Sequence, residues 1–287
     1  MEVDSDDAAL RESLAAELRV LRERLGVTAI ELSPRKESPL YVRKDLDGFP
    51  APLKIACDGA IAPYVLTRHA WDPQAIKFAE LLLGHGEPVT LVDVGANSGL
   101  FSRQLLGRLE NIDRVFVYEP HPANFELLKF NLAAMGRIEF VNAALSAISG
   151  KYEFFLDPEN SGNYSLNRAA MQGDFLSIVV EVKSARTESL RWLATSNAIF
   201  YKSDTQGFDE LIATQFDRTF WDKVSGGIFE LWRIEKPAHS ATKMEELLES
   251  FPHKVFLDDP ARALSTADVL AYLGGRDYRY ENLAFWR

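Results

Sequence analysis

The hydrophobic period changes several times along the chain. Between Ala8 and about Gly26, Leu14, Leu18, Leu21 and Leu25 recur at alternating four- and three-residue steps among Ala, Glu and Arg, which predicts a helix with one leucine seam. Two partners are open to a seam that short: the protein's own body, or the same helix of a second copy in a homodimer. From Thr28 to about Ala62 the pattern is mixed and interrupted by Pro34, Pro39, Pro50 and Pro52, which predicts short strands and loops in an N-terminal cap. After Asp72-Pro73, Ile76, Phe78, Ala79, Leu82 and Leu83 follow a helical step that stops at Gly84 and Gly86.

Strand and helix patterns then alternate. Val89 to Val94 is a short β-branched run, a glycine turn follows, and Phe101, Leu105 and Leu109 step along one helix face. Val115 to Tyr118 is the next strand, Pro122 opens a helix bearing Phe125, Leu128 and Leu132, and Ile138 to Val141 is a third strand. Strands that read as continuous apolar runs belong to a parallel sheet covered on both faces. Between Lys151 and Val182 the period approaches alternation around a polar segment, Asp157 to Asn167, which predicts an inserted β-pair and loop. The parallel pattern resumes at Ala198 to Tyr201, passes through a helix with Leu211, Ile212 and Phe216, and reaches a strand at Ile228 to Trp232. Val255 to Leu257 and Leu283 to Trp286 supply two last strands. The reading is a helical and cap extension over residues 1–72, then an α/β domain over 73–287 with a β insert near 151–182. Its sheet is mostly parallel, with helices on both faces.

Composition narrows the function classes. Of 287 residues, 47% are hydrophobic and 26% charged, ordinary usage for a folded globular chain. The 42 acidic residues exceed the 32 basic ones, giving a net charge of -10, so neither nucleic acid nor an anionic membrane surface is an expected partner. One cysteine, Cys57, and five scattered histidines give no metal-ligand spacing, so no structural zinc is expected and no metal ligand is assigned, while Asp204 with a neighbouring carboxylate leaves Mg²⁺ open. An acidic N-terminus and the lack of a long apolar run predict no targeting segment, no membrane span and a cytoplasmic location.

The chemistry-bearing stretch is Leu91-Val92-Asp93-Val94-Gly95-Ala96-Asn97-Ser98-Gly99, a buried strand entering a tight turn that opens a helix. Glu119 ends the next strand, 24 positions after Gly95, where a carboxylate accepts both hydroxyls of a ribose. Together these predict a nucleoside-containing ligand. A dinucleotide turn wants Gly-x-Gly-x-x-Gly beside its pyrophosphate, but Asn97 holds the second glycine position and Asp93 adds an acid. S-adenosylmethionine, cationic and without phosphate, suits that environment better than a nicotinamide dinucleotide.

Three motifs in order carry a family resemblance: Val92 to Gly99, then Tyr118-Glu119-Pro120-His121-Pro122, then Asn142-Ala143-Ala144-Leu145-Ser146. With the polar loop Asn160 to Leu166 and the segment Lys202-Ser203-Asp204-Thr205-Gln206-Gly207-Phe208-Asp209, the chain from about Ile76 onward resembles the FkbM family of S-adenosylmethionine-dependent methyltransferases. The last segment is similar to that family's Lys-x-Asp-x-Glu-Gly-x-Glu signature and departs from it at Gln206 and Asp209. The resemblance implies a Rossmann-like class I methyltransferase fold and methyl transfer, most often to a hydroxyl of a sugar, glycan or natural product. It implies Asp93, Gly95, Ala96, Asn97 and Gly99 around the methionine moiety and Glu119 on the ribose. Pro120 and His121 would lie beside the adenine, with Asn142 and Ala143 closing that side.

Removing the proton of a hydroxyl acceptor needs a base near the carboxyl ends of the fourth and fifth strands. Asp204, Glu230 and Lys202 are the candidates, with Glu235 solvated at the strand end. Glu230, in an apolar strand, is either functional or salt-bridged to Lys202 or Arg233. Asn163, Tyr164 and Ser165 either contact the acceptor or form a hydrogen-bonded turn, and His239 either faces the site or sits on the surface. The aromatic cluster Tyr272, Tyr278, Tyr280, Phe285 and Trp286 offers rings for stacking on a sugar, with Phe285 and Trp286 reading better as core packing. Two other functions stay open at this point: a scaffold with a degenerate cofactor site, and a nicotinamide oxidoreductase, which the lack of a Tyr-x-x-x-Lys constellation disfavours.

Overall fold

The computed structural model describes residues 16, 19–20, 22–32, 40–44, 52–68, 70–84, 86–195 and 198–287. Leu14, Leu18 and Leu21 lie outside the described residues, and with them the leucine seam and its dimer; residues 22–25 are helical. The cap is an antiparallel sheet of Val27–Leu32 (β1), Leu40–Lys44 (β2) and Leu53–Ala56 (β3). Val42, Leu53 and Ile55 pack on Ile61 and Val65 of a helix, Ile61–Arg68, that the proline-broken sequence concealed. Leu100, the first helical residue after the glycine turn, belongs to the same cluster, so the cap rests directly on that turn.

The main sheet begins with Val89–Val94 (β4), Ile112–Tyr118 (β5) and Ile138–Val141 (β6). A second sheet follows, built from Ala144–Ser146 (β7), Gly150–Leu156 (β8) and Leu176–Ser184 (β9) in the order β7-β9-β8. The expected β-pair near 151–182 is therefore three strands, because Ala144 to Ser146 pairs in parallel with Val182 to Ser184. The main sheet resumes with Ile199–Ser203 (β10), Val224–Trp232 (β11), His253–Phe256 (β12) and Tyr280–Trp286 (β13). Its strand order is β12-β13-β11-β10-β4-β5-β6. Only β13 runs against its neighbours, β11 and β12. This is the Rossmann-like, mostly parallel sheet that the sequence predicts. Compared with the six-strand dinucleotide order, it carries one extra antiparallel strand between its last two.

Each central strand is buried on both faces and divides its side chains between two cores. Tyr201 and Phe229 face an aromatic core with Trp192, Phe216, Phe220 and Phe251. Leu91, Phe200 and Ile228 face the other core, with Ile76, Ala79, Phe101 and Leu105 from the helices Pro73–Leu83 and Leu100–Leu106. The helix Ala185–Thr195 was hidden from the sequence reading because its inward stripe, Ala185, Glu188 and Trp192, contains a carboxylate. That carboxylate is used: Tyr118 Oη donates to Glu188 Oε2 at 2.6 Å and accepts from Trp192 Nε1 at 2.9 Å.

One predicted helix is shorter than expected. Asp209–Ala213 stops before Phe216, with the Thr214 hydroxyl turned back onto the carbonyls of Glu210 and Leu211. The chain restarts as a single turn at Arg218–Trp221. No helix among the described residues is long and apolar enough to cross a membrane.

Candidate functional site

β4 and β10 are neighbours, but the chain leaves them toward opposite edges of the sheet, which makes a topological switch point at their carboxyl ends. Gly95 follows β4 and Asp204 follows β10. A cavity of about 500 Å³ opens there, floored by these loops and walled by the cap and the insert. The roof is clasped to the floor: Asn97 Nδ2 donates to Ser161 O at 2.8 Å, and the Ser161 hydroxyl bonds Asp58 of the cap.

The glycine turn spends its amides internally. Gly95 and Ala96 N–H donate to Tyr118 O at 3.0 and 2.9 Å, and Gly99 N–H donates to Ala96 O at 2.8 Å. Asn97 N–H donates to Glu119 Oε2 at 2.9 Å, and Ser98 N–H to Asn97 Oδ1 at 2.6 Å. No amide from 95 to 99 remains for a pyrophosphate. Glu119 Oε1 accepts from His121 N–H at 2.8 Å, so backbone donors fix the carboxylate while it still lines the cavity. Carboxylate oxygens carry further lone pairs for hydroxyl donors.

Several of the expected cofactor contacts stand one layer back. Ala96, Asn97, Glu119, Pro120 and Ala143 line the cavity together with Gly95, whereas Asp93, Gly99, His121 and Asn142 are not among its lining residues. Gly99 is glycine for packing: its φ is +82°, and a Cβ there would press on Leu128. His121 caps the helix Pro122–Leu132 by accepting from Asn124 N–H, and its ring meets Tyr164 edge-on. Asn142 Nδ2 donates to the carbonyls of Glu119 and Pro120 at 2.8 and 3.1 Å and so shapes the loop. Gly95 touches the cavity, but the space beside its Cα is filled by the Asp204 carbonyl.

On the acceptor side, parallel register sets Asp93 beside Lys202. Lys202 Nζ lies 3.1 Å from Asp93 Oδ1, 3.1 Å from Gly95 O and 3.7 Å from Asp204 Oδ2. Burial works against this ammonium, and Asp93 and Asp204 outweigh it, holding its pKa above the usual lysine value. Glu230, on the same face of β11, is not salt-bridged to Lys202 or Arg233. Its Oε2 accepts from Gln206 Nε2 and from Trp232 Nε1, both at 2.6 Å, while Arg233 pairs with Asp277. Gln206 Nε2 also donates to Asp204 Oδ1 at 2.7 Å. Burial, and then the charge of Asp204, push Glu230 well above the usual carboxylate range. Asp209, the other acid of the signature-like segment, lies beneath the floor, where Thr205 N–H and the Ser203 hydroxyl donate to it.

Asn163 and Tyr164 line the cavity as expected. Ser165 does not: it is fully buried, and its hydroxyl donates to Gln206 O at 2.8 Å and accepts from Asn167 N–H at 2.8 Å. His239 is outside the site, in a separate depression beside Pro237. Sequence reasoning missed Tyr64, Trp71, Asp72 and Asp258, which line the cavity, while Tyr280, one of the aromatic residues offered for sugar stacking, lines it too. Asp72 carried a signal, Asp72-Pro73, that reads only as a helix start. Tyr280 stacks on Trp232 at 4.9 Å, with its other side exposed. Among the described residues, no group of three or more His, Cys, Asp or Glu is placed to hold a metal ion.

No family model matches the chain, and no curated protein matches it. Solved structures do. One is an S-adenosylmethionine-dependent methyltransferase from Agrobacterium tumefaciens, 10% identical over 86% of this chain and 70% of that one, with a TM-score of 0.41. Another is an O-methyltransferase from Bacillus cereus solved with SAH, 11% identical over 76% and 82%, TM-score 0.38. A third is precorrin-6y C5,15-methyltransferase from Geobacter metallireducens, 11% identical over 75% and 88%, TM-score 0.33. Likeness at this level carries no argument about chemistry, and the fold assignment rests on strand order and register.

Proposed function

We propose that this protein is an S-adenosylmethionine-dependent methyltransferase acting on a hydroxyl of a sugar, glycan or natural product, as the FkbM resemblance implies. The observation that carries the cofactor reading is the glycine turn, whose five amides are all bonded within the protein beside an anchored Glu119. A pyrophosphate would find no donors there, while a ribose finds a fixed carboxylate. The charged residues lining the cavity agree: six are acidic, Asp72, Glu119, Asp204, Glu230, Asp258 and Glu281, and the one base, Lys202, is held by Asp93 and Gly95. Such a set of acceptors suits a cationic ligand without phosphate.

When bound, S-adenosylmethionine supplies an activated methyl group for in-line displacement. Glu119 would hold the ribose, and Ala96, Asn97, Pro120 and Ala143 would line its path. Lys202 keeps the loops after β4 and β10 together, and the Asp204–Glu230 region offers a carboxylate for the proton that leaves the acceptor. Asn163, Tyr164 and the Tyr280 face would bound the acceptor space. Isothermal titration with S-adenosylmethionine and with NAD tests the reading. Binding of the first alone is expected, binding of NAD would return the oxidoreductase, and binding of neither would return the scaffold. An acceptor screen with a labelled methyl donor then names the substrate class.

A further inference from the structure

The amide of Gln206 stands between the two carboxyl groups of the acceptor side. Its Nε2 carries two hydrogens and makes two bonds, to Asp204 Oδ1 at 2.7 Å and to Glu230 Oε2 at 2.6 Å. The side chain is aimed from a left-handed backbone, φ +55°, which the buried Ser165 hydroxyl fixes by donating to the Gln206 carbonyl. Trp232 Nε1 adds a second donor to the same oxygen of Glu230. We infer that Asp204 and Glu230 form one proton-accepting unit, that Gln206 is the positioning residue clamping its two halves, and that Glu230 is the half that takes the acceptor's proton.

The inference rests on the methyl-transfer reading and goes beyond it by dividing the roles of the two acids. Asp204 has one oxygen on Gln206 and the other facing the Lys202 ammonium, so its charge is already paired. Glu230 has only neutral N–H donors and lies deeper, with Asp204 and then Asp209 as the nearest like charges. Lys202 is a cation that interacts with it, itself held by Asp93, and Tyr280, Asp72 and Asp258 are further titratable groups around the unit. With both carboxylates charged, the pair repels itself and binds one proton strongly. In the transfer the acceptor O–H bond breaks toward Glu230 and its electron pair bonds to the methyl carbon. The carbon–sulfur pair stays on sulfur, and the proton stays on Glu230 until water removes it.

The indole N–H of Trp232 reports the state of Glu230 without substrate. In nitrogen-15 tryptophan spectra of the full chain, assigned with Trp232→Phe, this resonance is expected to titrate with a midpoint well above the usual carboxylate range. Asp204→Asn removes the adjacent charge and should lower the midpoint by about one unit or more, and Gln206→Met removes both clamping donors and should raise it. The other four indoles serve as the folding control. A midpoint unchanged in Asp204→Asn, or no titration above the usual carboxylate range, overturns the unit. If Asp204→Asn does not fold, infrared spectra of wild-type protein with carbon-13 glutamate decide. A protonated carboxyl band that persists above the usual carboxylate range and disappears on raising the pH further supports the unit, and its absence sinks it. These readouts do not depend on S-adenosylmethionine, so a negative calorimetric result removes the methyl-transfer reading while leaving the titration to stand or fall alone.

Discussion

A methyl group built on Gly95 would overlap the main-chain carbonyl of Asp204. The two loops meet because Asp204 N–H donates to Val94 O at 3.0 Å, extending the β4–β10 pairing past the end of the sheet. Gly95 also has φ +75°, where side chains are strained. Its glycine therefore serves the seam that carries Asp204 more than the space for a ligand. Gly95→Ala should cost about 1–3 kcal/mol from overpacking and backbone strain together, and lower the melting temperature by several degrees. Thermal unfolding with unchanged Tm would refute this account.

Glu119 tests the cofactor assignment more cleanly, because its carboxylate both lines the cavity and organises the turn. Glu119→Ala should weaken S-adenosylmethionine binding by about 1–3 kcal/mol, or roughly 5- to 150-fold in Kd. Glu119→Gln keeps the shape and one acceptor oxygen, so it should retain more of the stability than Ala while still losing affinity. Calorimetry on both variants, with circular dichroism for folding, measures the two effects separately. Full affinity in both would move the ribose elsewhere.

The main sheet was legible because its central strands are covered on both faces. β4, β10 and β11 therefore read as apolar runs, and the turn after β4 announces itself by Gly95 and Gly99. The partner choices within the site were not legible. Asp204 and Asp209 are five residues apart in one motif-like segment, yet one lines the cavity and the other is buried beneath it. The reason is that Gln206 and Gly207 both take left-handed φ and reverse the chain between them. Lys202 meets Asp93 only through parallel register across more than a hundred residues. Tyr64 and Trp71 reach the mouth from the cap, whose packing depends on Leu100 of another element. Gly99, His121 and Asn142 sit at family-like positions, and their roles as packing, capping and loop-bracing groups appear only in three dimensions.

The Lys202–Asp93 pair makes a stability prediction. Asp93 is fully buried, with Ser102 Oγ donating to Oδ2 at 2.6 Å and Lys202 facing Oδ1. Lys202→Met removes the one cation and leaves a buried carboxylate uncompensated, which costs about 3–5 kcal/mol. Adding Asp93→Asn should recover much of the loss, since the amide needs no counter-charge. Denaturant unfolding of the two single variants and the double variant checks this. Additive losses would show that the pair is not coupled.

Asp209 gives the pH dependence. Burial, followed by the charge of Glu210, pushes its carboxyl up to about 7, against an ordinary value near 3.8. A folded-state pKa above the unfolded one means that the native protein holds a proton the unfolded chain has already released. The stabilisation is complete below the unfolded value and is lost as pH rises through the folded one. Between about pH 4 and 7 this residue therefore makes stability fall with rising pH, opposite to the contribution of a salt-bridged acid. Asp209→Asn keeps an acceptor oxygen for the Ser203 hydroxyl and Thr205 N–H but cannot titrate. Relative to wild type, the variant should gain stability as pH rises across that window, and the difference should level off above about pH 8. Parallel urea unfolding of both proteins from pH 5 to 8 measures the difference curve. A flat curve would mean that Asp209 is ionised in the native state throughout, and that the Ser203 and Thr205 donors outweigh its burial.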